Sequence, residues 1–206
     1  MREFCLNVTP VLNPQPPITP GGDCFSCALT AGLSWLCPDR TLTVARAIDY
    51  FRQDDGHVST SWPGMRRALV AAYRDGYPIE YTADIVHPQM NPEMWSHAWW
   101  GWEPELEYAR RLEGWLRSGW VAFTEINQAG GGMLTADLKL NGTDHFVLLD
   151  GIRYVREPYP DGGGAAYNQY VHVVCSVKGG YWMRLQTFLR RHGGSGWWLA
   201  RRREER

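Results

Sequence analysis

A cysteine stands between a pair of glycines and the start of a predicted helix in GGDCFSCALT, residues 21–30. Backbone N–H dipoles at a helix N-terminus stabilise a thiolate, so the position of Cys24 indicates a reactive thiol. A thiol nucleophile needs a base, which can come from elsewhere in the chain. Among the six histidines, His145 is the best placed, because it opens the apolar stretch HFVLLDGIRY after the loop at 141–144. The two residues predict acyl transfer through a Cys–His pair.

Hydrophobic periodicity and turn residues predict the elements that would position this pair. A proline-rich segment at 13–20 should run extended up to the cysteine motif. Helices are predicted at 25–36, 44–52, 62–75, 103–117 and 185–191. Strands are predicted at 77–84, 120–126, 145–154, 170–177 and 196–201. We therefore expect one α+β domain over 1–206, with a mainly helical half at 1–118 and a mainly antiparallel β half at 119–206.

Composition excludes several classes of function. The chain has 206 residues and a formal net charge of -1, which gives no general electrostatic reason to expect nucleic acid as a partner. No apolar run approaches the roughly 20 residues that span a bilayer, so no membrane partner is expected. Five cysteines, an odd number in a chain of this size, favour reduced thiols and a cytoplasmic location, with export by a dedicated secretion system left open.

The motifs GGDCFSCAL and DHFVLLDGI resemble those of the papain-like cysteine peptidases, most closely the bacterial C39-like group. The resemblance implies that Cys24 is the nucleophile and His145 the base. By order of elements it covers most of the chain, including LEGWL and WVAF before the histidine and YVHVV and KGGYW after it. It implies a papain-like α+β fold, with a central nucleophile helix packed on a C-terminal antiparallel sheet. GGDCFSCAL is also similar to the cysteine motif of the ovarian-tumour deubiquitinases, which again implies Cys24.

The resemblance allows more than one candidate for the nucleophile and for the oxyanion donor. Papain's own motif has two cysteines with the spacing of CFSC, which would make Cys27 the nucleophile. We prefer Cys24, because small residues then fall at Cys27 and Ala28 inside the helix. The family places a glutamine upstream of the nucleophile, and Gln15 is the candidate although three prolines separate it from the motif. The other candidate donors are Asn13, Thr19 and the backbone N–H groups of Asp23 and Cys24.

The sequence departs from the family pattern at the residue that orients the histidine. Papain-like enzymes carry an Asn or Asp after the second strand, and the matching position here is Cys175 or Ser176. Asp150 or Asp144 is a substitute through a different geometry, and a Cys–His pair without a third member is the remaining alternative.

We predict no cofactor and no metal. A zinc site built on Cys24, Cys27 and Cys37 lacks a fourth ligand and a second close pair, and the CxxC spacing lacks the βαβ context of a redox motif. The tryptophans of 94–102 are predicted either to line a substrate groove or to cap the core. The glycine-rich loops 130–132 and 162–164 are predicted to be surface loops or lids.

The predicted activity is acyl transfer at an amide, ester or thioester, on a peptide, protein or other acyl-bearing substrate. Peptide hydrolysis is the commonest outcome for this resemblance, and deamidation and transglutamination use the same pair of residues. One alternative is a binding module that has kept the fold and lost efficient catalysis, because Cys175 and Ser176 stand where an Asn or Asp is expected. Another is an effector delivered into a different cell.

Overall fold

The computed structural model describes residues 1–14, 18, 23–58, 62–84, 102–127, 144–158, 163–191 and 197–204. Over these residues the helices are α1 Cys24–Leu36, α2 Val44–Phe51, α3 Trp62–Arg74, α4 Trp102–Arg117 and α5 Leu185–Arg191. The strands are β1 Arg2–Cys5, β2 Ile79–Asp84, β3 Val121–Asn127, β4 Asp144–Pro158, β5 Ala165–Cys175, β6 Gly179–Arg184 and β7 Trp197–Arg202.

The seven strands of the described residues join one antiparallel sheet. Six of them follow the order β2-β7-β3-β4-β5-β6, and β1 pairs with β4 outside this order. Strand β4 is the longest and pairs with β5 along one side. On its other side, β3 pairs with residues 144–149 and β1 pairs with residues 151–154. The N-terminal strand therefore continues the edge of β4 where β3 stops.

Helices cover both faces of the sheet, and the inner strands are buried on both sides. Side chains of β3, β4 and β5 alternate between two hydrophobic clusters, as the period-2 geometry of a strand requires. The cluster that includes α1, α2 and α3 takes Phe123, Phe146, Leu148 and Val174. The cluster that includes α4 and α5 takes Ala122, Val147, Leu149 and Val173.

Helix α1 is the most deeply buried helix of the described structure, with solvent reaching only its last turn to any extent. It packs closely on the sheet because Gly32 carries no side chain. A Cβ built at Gly32 would lie 2.6 Å from the ring of Phe123 and 3.0 Å from Leu148. The helix ends at Leu36, where Cys37 precedes a proline that disfavours further helical backbone.

The predicted α+β class and the antiparallel sheet are confirmed. The predicted helices and strands recur with shifted ends, and β4 and β5 are both longer than predicted. Two short strands, β1 and β6, were not predicted, because four residues of REFC and a glycine pair in GGYWMR carry too little alternation. Since β1 and β2 pair with β4 and β7, the N-terminal half contributes strands to the same sheet as the C-terminal half. Most of the tryptophan-rich segment and the predicted glycine-rich loop at 130–132 lie outside the described residues.

Candidate active site

Cys24 is the first residue of α1 and is 7% exposed. Burial raises the pKa of its thiol, although backbone N–H groups of Phe146, Phe25 and Cys24 itself act in the opposite direction. The charge of a nearby Cys175 thiolate would raise this pKa further. The sequence predicts a stabilised thiolate at the helix N-terminus, whereas desolvation outweighs the backbone dipoles in the folded protein.

His145 lies at the start of β4, opposite Ile126 of β3, and is 4% exposed. Burial, with a smaller contribution from the charge of Lys178, lowers the pKa of the imidazole to about 4. The side chain is therefore neutral at physiological pH, which is the protonation state that a general base requires.

Cys175 is the partner of the imidazole. Its Sγ lies 3.1 Å from Nε2 of His145 and also accepts hydrogen bonds from the backbone N–H groups of Val177 and Lys178, each at 3.4 Å. It is one of the two residues that the resemblance to papain-like enzymes aligns with their orienting Asn or Asp. Of the two residues that the sequence offered there, Cys175 contacts the imidazole. The Ser176 hydroxyl is buried and has no hydrogen-bond partner among the described residues.

The N-terminus of α1 and the start of β4 are held together by an aromatic pair. The rings of Phe25 and Phe146 stack with centroids 4.3 Å apart. Because successive strand residues face opposite sides, Phe146 faces α1 and the His145 side chain faces the other side, toward Cys175. Cys24 thus lies against the backbone next to the imidazole. Within the described part of the chain, a direct hydrogen bond between the Cys24 thiol and the imidazole is absent.

The structure places the carboxylates of the sequence analysis elsewhere. Asp150 is fully buried on β4, where it contacts Nδ1 of His172 at 2.5 Å and accepts the backbone N–H of Val8 at 2.7 Å. Asp150 therefore contacts His172, whereas the imidazole of His145 contacts Cys175, and the prediction of Asp150 as the group that orients His145 is not supported. Asp144 begins β4, and its side chain lies outside the described residues.

The other candidate residues separate into two groups. Gln15 and Thr19, both predicted as oxyanion donors, lie outside the described residues. The Asn13 amide oxygen accepts a hydrogen bond from the Cys27 thiol at 3.4 Å. Burial raises the pKa of Cys27 to about 12, which agrees with its prediction as a core residue.

One polar cluster was not predicted from the sequence. Cys5, Asp150 and His172 place a sulfur, a carboxylate and a ring nitrogen within 4.8 Å of one another. They come from three strands and lie far apart in the sequence, so no spacing motif marks them. The only sequence signal is Gly151, since a glycine inside a strand indicates a bulge or a close approach of neighbouring chains.

A cavity of about 660 Å³ lies at the opposite end of α1 from Cys24. Trp35 and Leu36 of α1 line it, together with Gly119 and the arginines at 201–203. The segments that flank the candidate site in sequence, 19–22 and 128–143, lie outside the described residues. The site is therefore defined by its side chains and not by this cavity.

Comparison of the chain with models of known protein families gives no match, and comparison with curated proteins gives no significant one. In the described part of the chain, no helix is both long enough and apolar enough to cross a bilayer.

Proposed function

We propose that this protein is a cysteine-dependent acyl hydrolase or acyltransferase of papain-like fold, in which Cys24 attacks a carbonyl carbon and His145 takes the thiol proton. One observation carries the proposal. The Cys24 thiol, at the N-terminus of α1, contacts the backbone of Phe146, the residue that follows the buried neutral His145. Nε2 of His145 in turn contacts Sγ of Cys175.

The contact with Cys175 assigns a separate task to each ring nitrogen. Nε2 of His145 lies against Sγ of Cys175. Nδ1 is then the nitrogen that accepts the proton of Cys24. The imidazole must rotate or shift toward the helix to reach the thiol, and substrate binding is the step at which we place that movement.

Proton transfer accompanies attack in this mechanism. Burial keeps the Cys24 thiol protonated and the imidazole neutral, so a resting thiolate–imidazolium pair does not form. When the S–C bond forms, the proton passes to His145, which then gives it to the leaving amine, alcohol or thiol. Water or an amine attacks the resulting thioester and releases the enzyme. Backbone N–H groups near the thiol would stabilise the oxyanion, a contribution of about 3–4 kcal/mol for a positioned donor.

The substrate class is a peptide, a protein or another acyl-bearing molecule. Peptide hydrolysis is the outcome we favour, while deamidation and amine transfer differ only in which nucleophile reaches the thioester. The proposal of a papain-like arrangement is supported by α1, which begins at the thiol and packs on an antiparallel sheet whose strand β4 carries the histidine as its second residue.

A binding module is the second candidate, and two observations favour it. The Cys24 thiol is held protonated by burial, and the imidazole contacts Cys175 instead of Cys24. In that case the chain would recognise a peptide or protein without turning it over.

Acyl-enzyme formation separates the two candidates. The full chain would be mixed with an activated ester and a peptide library, and the modified residue would be located by mass spectrometry. We expect the acyl group on Cys24, and we expect Cys24→Ala to lower turnover by at least about 1,000-fold. Cys175→Ala should lower the rate and leave acylation on Cys24, because this residue positions the base.

Cys37→Ala is the matched control, since Cys37 is a buried cysteine at the other end of α1. It should keep the wild-type rate. Acylation of Cys175 in the wild-type chain, or turnover that survives Cys24→Ala, would contradict the assignment of the nucleophile. Absence of any acyl-enzyme, combined with capture of an intact peptide, would favour the binding module.

A further inference from the structure

Gly151 of β4 allows Cys5, Asp150 and His172 to form a cluster, because it lies between the strands that carry Cys5 and His172. Across three neighbouring strands, Cys5 of β1 is opposite Gly151 of β4, and Gly151 is opposite His172 of β5. A Cβ at Gly151 would lie 3.0 Å from Sγ of Cys5 and 2.9 Å from Cβ of His172. The missing side chain therefore lets the thiol and the imidazole meet over the middle strand.

A bulge adds the carboxylate to the same face. The pairing of β4 with β5 shifts register between Leu149 and Gly151, which leaves Asp150 as the extra residue. An extra residue in a strand breaks the alternation of faces and re-aims a side chain. The bulge leaves Asp150 and Gly151 on the same face of the sheet, and the Asp150 carboxylate lies beside His172.

The three groups converge on one point. Sγ of Cys5 lies 3.7 Å from Nδ1 of His172 and 3.8 Å from Oδ2 of Asp150, and Nδ1 lies 2.5 Å from Oδ1. A catalytic triad uses the two ring nitrogens separately, one for the nucleophile and one for the acid. Here the thiol and the carboxylate face the same nitrogen, which is the arrangement of metal ligands and not of a proton relay.

We propose that Cys5, Asp150 and His172 bind a zinc ion, with water as the fourth ligand. Tetrahedral zinc places S, N and O ligands about 3.3–3.6 Å apart. The two sulfur distances of 3.7 and 3.8 Å are only slightly longer than this range, so the thiol needs only a small shift to bind the ion. The ion takes the place of the proton between Nδ1 and the carboxylate, and that contact widens by about 1 Å. One thiolate, one imidazole and one carboxylate form a mixed ligand set that suits a borderline-soft cation.

Surrounding contacts hold the ligands and leave a path for the ion. The backbone N–H of Val8 donates to Asp150 at 2.7 Å, and the Trp182 ring lies 5.0 Å from the ring of His172. Such outer contacts orient metal ligands. The His172 side chain is 16% exposed and Cys5 is half-buried, so the ion reaches the site without opening either hydrophobic cluster. Bound zinc would fasten β1 to β4 and β5, and its binding free energy would add to folding stability.

The wild-type chain alone supplies the first test, and this test is independent of the proposed function. The full chain would be stripped with a chelator, titrated with Zn²⁺ and measured by X-ray absorption. We expect one zinc per chain, with one sulfur at about 2.3 Å and the remaining N and O ligands at about 2.0–2.1 Å. Two or more sulfurs in the shell, or no stoichiometric zinc, would overturn the proposal.

Two cysteine variants give the second test. Replacing the metal with Co²⁺ should produce a thiolate-to-cobalt absorption band in the wild-type chain. Cys5→Ser should abolish the band and weaken Zn²⁺ binding by about 100-fold or more, while Cys27→Ser should keep both properties. Zinc should also raise the unfolding temperature of the wild-type chain and of Cys27→Ser. A band that survives Cys5→Ser, or one that disappears in Cys27→Ser, would refute the assignment.

Discussion

Burial sets the protonation states of both residues of the proposed catalytic pair. It raises the pKa of the Cys24 thiol and lowers that of the His145 imidazole to about 4. A resting ion pair needs the opposite order, with the thiol the stronger acid of the two. The two neutral groups therefore favour general-base attack, and the low pKa of His145 keeps the base available in mildly acidic solution.

The same low pKa predicts how stability depends on pH. Between pH 6.5 and pH 4 the unfolded chain protonates this histidine while the folded chain does not, so the free energy of unfolding falls as pH falls. Over this window the wild-type chain should lose about 3 kcal/mol more than His145→Gln. Urea unfolding at pH 7 and pH 4 measures the difference. His57→Gln removes an exposed histidine and should follow the wild type; a His145→Gln variant that also follows it would show that the imidazole is not buried as described.

At the scale of elements, close packing positions α1 and therefore Cys24. The helix contains Gly32, a residue with poor helix propensity, yet it lies against the sheet where no side chain fits. Tertiary packing thus stabilises this helix more than its own sequence does. Stacking of Phe25 on Phe146 then fixes the position of the N-terminal end of α1, which carries the Cys24 thiol.

Two glycine substitutions test this packing. Gly32→Ala should lower the free energy of unfolding by about 1–3 kcal/mol, because the added Cβ overlaps the Phe123 ring and overpacking exceeds the gain in helix propensity. Gly114 is an exposed residue of α4 with no atom within 4 Å of an added Cβ. Gly114→Ala should raise the free energy of unfolding by up to about 1 kcal/mol. Equal effects of the two changes in denaturant unfolding would contradict close packing of α1.

At the scale of the molecule, α4 connects parts of the sheet that are distant in the pairing order. Asp84 ends β2 and accepts hydrogen bonds from Arg111 and from Nε1 of Trp115, the latter at 2.6 Å. Two residues from each of them, on a different side of the helix, buried Glu113 accepts hydrogen bonds from Arg2 of β1 and Tyr154 of β4. A single helix therefore anchors the outermost strand β2, the N-terminal strand and the central strand.

Removal of Asp84 should be costly, because it leaves the indole N–H of Trp115 and the Arg111 guanidinium without their buried acceptor. Asp84→Ala should lower the free energy of unfolding by about 3 kcal/mol in urea. Asp39→Ala removes a carboxylate from an exposed pair with Arg202 and should change the same quantity by less than about 0.5 kcal/mol. Comparable losses in the two variants would argue against α4 as an anchor.

The local features of this protein could be predicted from the sequence. The thiol begins a helix that stops before Pro38, the apolar stretch after position 144 is a strand, and antiparallel strands with helices make an α+β fold. These predictions succeed because hydrophobic period, glycine turns and proline stops act over a few residues.

The tertiary structure alone decided which groups meet. Cys175 contacts an imidazole 30 residues away, and Asp150 contacts His172 and Cys5 instead of His145. Strand register and bulges depend on pairing between distant segments, and the local hydrophobic period does not show which segments pair. The tertiary structure also decided the directions of the pKa changes at Cys24 and His145, because desolvation depends on the packed core and not on a helix N-terminus in isolation.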